Sequence, residues 1–129
     1  MGAIYAELRV AGHVFPVLKC TFGVHQATDR RGRVIKKVRF EPVTLLLDVP
    51  RGDFLMAWAA AAAKRLPADV VFFDAAGGPA VETLSFVTGA YCVNHREEFW
   101  AGDAQSGAYL LYLTLSDPDG FTMHAGGPG

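Results

Sequence analysis

The chain has 129 residues, the length of one ordinary domain, and 51% of them are hydrophobic while 19% are charged. This composition argues against intrinsic disorder. Twelve basic and thirteen acidic residues leave a net charge of -1, so the molecule has no long-range field for nucleic acid or an anionic membrane. We expect a single domain over residues 1–129, with flexible ends at 1–2 and 118–129.

Alternating apolar and polar residues predict strands in the first part of the chain. Residues 4–10 and 14–22 alternate with a period of two and form a predicted hairpin. The apolar pattern lapses in residues 23–37, which predicts a long mobile loop. Residues 38–49 form another predicted strand, and the leucines of residues 45–47 predict burial on both of its faces.

One helix is predicted at residues 53–66. Asp53 is placed as its N-cap, and Lys64 and Arg65 lie near the C-terminal end of its dipole. Pro67 ends it. Apolar residues at spacings of three and four predict the face that packs against a sheet, and they are Leu55, Trp58, Ala59, Ala62 and Leu66.

Strands return in the second half of the chain, at residues 70–73, 80–93 and 109–115. The glycine-rich tail at residues 121–129 is expected to fray. These elements predict a mainly β domain with one helix. Because several strands are apolar on both faces, the domain is expected to bury further surface against copies of itself.

Residues that could carry catalysis are scattered. The four histidines lack metal-ligand spacing, and no serine lies in a Gly-x-Ser-x-Gly pattern. Residues 95–98 place a histidine beside two glutamates, but in a segment read as a solvated charged loop. Cys20 and Cys92 are interpreted as buried reduced thiols. We therefore predict no enzyme activity, no cofactor and no metal site.

Half of the basic residues fall within ten positions, and they are Arg30, Arg31, Arg33, Lys36, Lys37 and Arg39. Three interpretations stay open for this segment: a solvated loop, a contact with the acidic residues Glu97, Glu98 and Asp103 of a neighbouring copy, or a grip on phosphate. Because no aromatic residue is interleaved before Phe40, base stacking is unsupported.

Five segments carry a family resemblance through their order and spacing, and they are Phe15-x-Val17-Leu18-x-Cys20, Gln26-x-Thr28-Asp29-x-x-Gly32-Arg33, a helix with Trp58, Tyr91-x-Val93-x-x-x-Glu97-x-Phe99 and Leu113-Thr114-Leu115-Ser116. This set, spread over residues 3–117, resembles the haemolysin co-regulated (Hcp) tube proteins of type VI secretion systems, in the version called TssD in Bacteroidota. The resemblance implies a compact β-barrel with one flanking helix and no catalysis.

The same resemblance implies where copies meet. In these proteins the long loop after the second strand reaches the adjacent ring, and the corresponding residues here are Thr28, Asp29, Gly32 and Arg33. Arg30, Arg31, Lys36 and Lys37 are the charged surroundings of that loop and are predicted to belong to the same interface. Glu97 and Phe99, with Glu98 between them, match the loop before the last strand. The chain departs from the family pattern at residues 34–35 and 117–120.

The function implied by the resemblance is structural. Hexameric rings would stack into the inner tube of a type VI or related contractile injection system, assemble in the cytoplasm and be ejected. The expected partners are further copies, sheath, spike and effector proteins, with no nucleic acid and no membrane insertion. The alternative from the residues alone is a monomeric β-barrel that binds an apolar small ligand. A third hypothesis is a ring that carries effectors as an adaptor.

Overall fold

Strands dominate the computed structural model, which describes residues 5–26, 28–33, 38–48, 53–75, 77–102 and 108–127. In these ranges the only helix is α1, Phe54–Ala60. The strands are β1 Tyr5–Val10, β2 His13–Thr21, β3 Val24–His25, β4 Arg39–Phe40, β5 Val43–Asp48, β6 Arg65–Leu66, β7 Ala68–Phe73, β8 Ala80–Phe86, β9 Ala90–Trp100, β10 Ala108–Ser116 and β11 Phe121–Ala125. The predicted mainly β fold with one helix is confirmed.

Nine strands form one sheet, in the order β11-β8-β7-β1-β2-β5-β10-β9-β6, and β3 pairs with β4 in a separate ribbon. The neighbours in the large sheet are antiparallel. Its edge strands, β11 and β6, are not paired with each other in the part of the chain that is described. The barrel-like sheet is therefore open rather than closed.

The predicted hairpin at the start of the chain is confirmed. Val10 pairs with His13, so the turn between β1 and β2 contains only Ala11 and Gly12. Both residues have positive φ, 50° and 80°. A two-residue turn with positive φ at both positions matches the right-handed twist of the flanking strands.

The core lies against one face of the sheet. Leucines at alternate positions of β5 and β10 are fully buried there, and Leu55 and Trp58 of α1 are buried in the same cluster. Burial of one such leucine contributes about 2 kcal/mol. The expected two-sided burial of β5 is wrong for a single chain, since Leu46 is only half-buried and Thr44 is exposed. Both belong to the other face of the sheet.

The helix is shorter than predicted. It ends at Ala60, and Arg65 lies in β6, where it pairs with Tyr91 of β9. The chain leaves the helical path because the Trp58 indole N–H donates to the Lys64 carbonyl at 3.0 Å and Ala63 has a φ of 56°. Asp53 occupies the N-cap position, but its side chain makes no capping hydrogen bond among the described residues.

Two segments predicted to be irregular are strands. The tail forms β11, which pairs with β8 from Phe121 opposite Phe86 to Ala125 opposite Glu82, so the expected fraying is wrong there. Residues 95–98, read as a charged loop, lie inside β9. They are held in the ladder by β10, with Glu97 opposite Leu111.

The family departure at residues 117–120 has a structural role. The Asp117 side chain is 1% exposed, and its carboxylate accepts hydrogen bonds from Thr88 N, Asp119 N and Arg65 Nη2, each at 2.8 Å. Burial alone would raise the pKa of Asp117, but the bonds from Thr88 and Asp119 and the charge of Arg65 together hold that pKa below its ordinary value. This carboxylate ties β6, the β8–β9 turn and the β10–β11 turn together.

The two cysteines are free thiols, with Cys92 buried and Cys20 half-buried. Burial raises the pKa of Cys20 to about 12 and that of Cys92 to about 11. Among the described residues, the structure has no helix with the length and hydropathy that crossing a bilayer requires.

Candidate assembly surfaces

The predicted interface residues fall at two opposite ends of the large sheet. At one end Trp100 lies opposite Ala108, where the β9–β10 hairpin projects, and we call this the tip end. At the other end Leu115 of β10 lies opposite Val43 of β5, and we call this the loop end. The 11 residues of β9 span about 35 Å at the usual strand rise. The two sets therefore do not meet within one copy.

The basic loop, residues 28–33, is held in a defined shape by Asp29. One oxygen of its carboxylate accepts the backbone N–H groups of Arg31 at 2.8 Å and Arg33 at 2.9 Å. The other oxygen accepts Arg33 Nε at 3.0 Å. Gly32 has a φ of +82° and donates its N–H to the Asp29 carbonyl. The predicted mobile loop is thus an organised turn at residues 29–33.

The arginine side chains of the basic loop are exposed to solvent. The backbone N–H of Arg33 is the main reason that the pKa of Asp29 lies below its ordinary value, with partial desolvation opposing it and the Arg31 N–H and the Arg33 guanidinium adding to it. Arg33 pairs with Asp29, while the side chains of Arg30 and Arg31 are exposed. Lys36 and Lys37 lie outside the described residues.

The hairpin tip, residues 97–102, combines carboxylates with exposed aromatic rings. Phe99 is 71% and Trp100 is 63% exposed. The Tyr109 hydroxyl donates to Glu97 Oε1 at 2.6 Å, and this bond is the main reason that the pKa of Tyr109 is raised. The Phe99 ring meets the Tyr109 ring edge-on at 6.1 Å. Glu98 accepts Arg96 Nη2 at 2.8 Å.

An apolar groove at the loop end was not predicted from the sequence. It has a volume of about 300 Å³ and is lined by Phe22, Gly23, Val24, Phe40, Phe121 and Met123, which we call the aromatic groove. The Phe121 ring packs edge-on against Phe22 at 5.8 Å and Phe40 at 5.1 Å. The apolar residues that border the basic loop in the sequence could have indicated this groove. The contribution of Phe121 was hidden because the tail was expected to fray.

A polar row crosses the uncovered face of the sheet. The register places Lys19, Leu46, Tyr112 and Arg96 side by side on β2, β5, β10 and β9. The guanidinium of Arg96 lies over the Tyr112 ring, 4.9 Å from its centre. This face therefore carries charge and hydroxyl groups between its apolar side chains.

Chemistry-bearing side chains do not gather in the described ranges. No three histidine, cysteine, aspartate or glutamate side chains there are arranged to hold a metal ion. Ser85 Oγ lies 3.2 Å from His124 Nε2. The two residues are diagonal neighbours on the paired strands β8 and β11, where Ser85 is directly opposite Thr122 and His124 is directly opposite Thr83. The features that stand out are surfaces for association.

Solved structures with the same fold match nearly the whole chain. Hcp1 from Flavobacterium johnsoniae matches with a TM-score of 0.79 and 22% identity, over 95% of this chain and 96% of that one. Hcp1 from Salmonella typhimurium matches with a TM-score of 0.68 and 18% identity, over 90% and 82%. The sheath/tube terminator of the extracellular contractile injection system PVC matches with a TM-score of 0.60 and 16% identity, over 93% of each chain.

The sequence profile of the family described as "Hemolysin coregulated protein Hcp (TssD)" matches residues 2–117. The chain belongs to the Hcp (TssD) family, as its sequence resemblance indicated. A comparison with curated protein sequences gives no significant match. Family membership supports a structural tube protomer and does not favour the monomeric ligand-binding barrel.

Proposed function

We propose that this protein is a non-enzymatic protomer that forms hexameric rings and stacks them into the inner tube of a type VI or related contractile injection system. One observation carries the proposal: the segment with the basic loop leaves the large sheet after Thr21 of β2, opposite Thr44, whereas the hairpin tip extends from the opposite end. Two different surfaces that complement each other make a head-to-tail contact, and such a contact repeats into a filament when it does not close on itself.

Ring formation uses the sides of the sheet. The edge strands β11 and β6 are unpaired with each other in the described chain and offer backbone groups to a neighbour. In the ring the uncovered face, with Lys19, Tyr112 and Arg96, lines the lumen. The half-exposed apolar groups between these residues give that lining a mixed character, which suits the passage of protein cargo.

The partners and location follow from tube assembly. Related chains come from a sheath-tube complex and a baseplate, so we propose sheath and spike proteins as partners, with effectors carried in or on the tube. The tube assembles in the cytoplasm and leaves through the contractile apparatus. The proposed interface residues at the loop end are Thr28, Asp29, Arg30, Arg31, Gly32 and Arg33, and those at the tip end are Glu97, Glu98 and Phe99. Lys36 and Lys37, which lie outside the described residues, are proposed as interface residues from the sequence.

The assembly state tests this proposal directly. Negative-stain electron microscopy and light scattering of the purified protein are expected to show rings or hollow tubes. A monomer of 13.9 kDa that persists at high concentration would overturn the proposal and favour the ligand-binding barrel.

The role of the basic loop is tested by the double variant Arg30→Glu/Arg31→Glu. Both side chains are exposed and outside the Asp29 network, so rings are expected to form while stacking is lost. Lys64→Glu, an exposed charge reversal in the turn after α1, is the control and should stack normally. Tubes of ordinary length from the double variant would exclude a stacking role for these arginines.

A further inference from the structure

We infer that the hairpin tip of one copy docks in the aromatic groove of a copy in the next ring, with Trp100 as the anchoring side chain. This inference rests on the proposed function and specifies its stacking contact. The groove lies near the loop end and the tip at the tip end, and β9 alone spans about 35 Å between the two ends of the sheet. A copy therefore cannot fill its own groove, and each docking leaves a free tip and a free groove for the next copy.

Apolar complementarity is the first argument. Two large aromatic side chains that are more than 60% exposed, Phe99 and Trp100, are unusual on a surface unless they are covered by a partner. Phe99 already contacts Tyr109, whereas Trp100 lies opposite the small Ala108 and is freer to insert. The aromatic groove has room for one such side chain. A buried tryptophan is a common energetic centre of protein interfaces.

Charge complementarity is the second argument. The groove includes Val24 and Phe40, which flank the basic loop in sequence and pair with each other at its base. The exposed Arg30 and Arg31 therefore lie on the groove side of the molecule. The tip carries Glu97, which accepts from Tyr109, and Glu98, which is paired with Arg96, next to its aromatic rings. A tip docked in the groove brings these carboxylates toward the arginines, which would favour this orientation over its reverse.

Disulfide trapping between two singly substituted proteins tests the inference. Ala101→Cys marks the tip without removing Trp100, and Val24→Cys marks the groove. Val14→Cys is the matched control, because Val14 and Val24 are both 54% exposed but Val14 does not line the aromatic groove. A mixture of Ala101→Cys with wild type controls for the native thiols.

The expected result is a covalent dimer, on a non-reducing gel, from Ala101→Cys mixed with Val24→Cys and none from the other two mixtures. Two outcomes would overturn the docking of the tip in the groove while the proposed function stands. In both, electron microscopy shows tubes, and either only the mixture with Val14→Cys gives a covalent dimer or none of the mixtures does. If the mixtures contain only monomers, both are overturned.

A second variant measures the energetic role of the anchor. Trp100→Ser is expected to raise the protein concentration needed for tubes about tenfold or more, with single rings intact, because an anchoring tryptophan carries much of the binding energy of an interface. Met56→Ser removes an exposed apolar side chain from α1 and should leave that concentration unchanged. Equal behaviour of the two variants would contradict the assignment of Trp100.

Discussion

Two turns that share the pattern Asp-x-x-Gly, at residues 29–32 and 117–120, can be compared directly. In each turn the glycine N–H donates to the aspartate carbonyl, at 3.0 and 2.9 Å. In each the aspartate side chain accepts the backbone N–H two residues later, at 2.8 Å. Aspartate at the first position and glycine at the fourth are typical of such turns. The two local structures are the same, but their surroundings differ.

The difference is burial. Asp117 is enclosed and also binds Thr88 and Arg65, which are distant in sequence, whereas the partners of Asp29 all lie within four residues of it. A buried carboxylate that joins distant segments contributes to the stability of the whole fold. An exposed carboxylate with local partners shapes a surface. We therefore expect loss of Asp117 to affect folding and loss of Asp29 to affect assembly.

The largest expected effect is that of Asp117→Ala. It leaves the Thr88 and Asp119 N–H groups and the Arg65 guanidinium without their acceptor, and we expect a loss of about 3–4 kcal/mol in the free energy of unfolding. Chemical denaturation would measure it. Asp119→Ala is the control, because its side chain is 56% exposed and 3.7 Å from Arg65; it should cost less than about 1 kcal/mol. Equal losses would contradict the assigned role of Asp117.

The two turn glycines give the next effect. Gly120 has a φ of +89°, and a Cβ there would overlap the Phe40 ring, while Gly32 has a φ of +82° and open space around it. Gly120→Ala is expected to cost about 2–3 kcal/mol from backbone strain and overlap, and Gly32→Ala about 1 kcal/mol from strain alone. Thermal unfolding of both variants would measure the difference. A larger loss of stability in Gly32→Ala than in Gly120→Ala would contradict the assigned difference between the two turns.

Acid should reduce the contribution of Asp117. Its pKa in the folded protein lies below the ordinary value of 3.8, so the folded state binds this proton less readily than the unfolded state does. The resulting stability is complete above about pH 4 to 5 and is lost as the pH falls through the folded pKa. Urea unfolding of wild type and Asp117→Asn should thus differ most near neutral pH and converge in acid. A constant difference down to pH 2 would exclude this linkage.

The smallest effect on folding is expected for Asp29→Ala. The variant removes only local bonds on the surface, so the melting temperature should stay close to that of the wild type. The basic loop loses its shape, however, and tubes should be scarcer while rings persist. Sedimentation and electron microscopy, run beside a melting curve, would separate the two effects. A large fall in melting temperature would place Asp29 with Asp117 as a residue of the fold.

The sequence was most informative where the pattern was periodic. Alternation predicted β1, β2 and β10, because one face of each strand meets the core. It was misleading after Ala60, since an alanine-rich segment favours helix while the pairing of Arg65 and Leu66 with β9 requires a strand. That pairing partner is 24 residues or more away and has no local signature.

The sequence indicated some of the assembly surfaces and missed others, again because contacts between distant segments have no local signature. Charge density drew attention to the basic loop without deciding its role, and the family resemblance pointed to that loop and to Glu97 and Phe99. The polar run at residues 95–98 hid the length of β9, because a projecting hairpin is held by its partner strand rather than by a buried face. The aromatic groove needs Phe22, Phe40 and Phe121 from three distant segments. Only the folded sheet brings these rings together.

The burial of the two thiols has a consequence for where the protein can work. Burial raises the pKa of both thiols well above neutral pH, to about 11 for Cys92 and about 12 for Cys20, so both are overwhelmingly protonated at pH 7. Only the thiolate exchanges readily with disulfides. A change from a reducing to an oxidising medium would therefore alter neither cysteine quickly. Burial thus keeps both thiols protonated near neutral pH, in the form that exchanges slowly with disulfides.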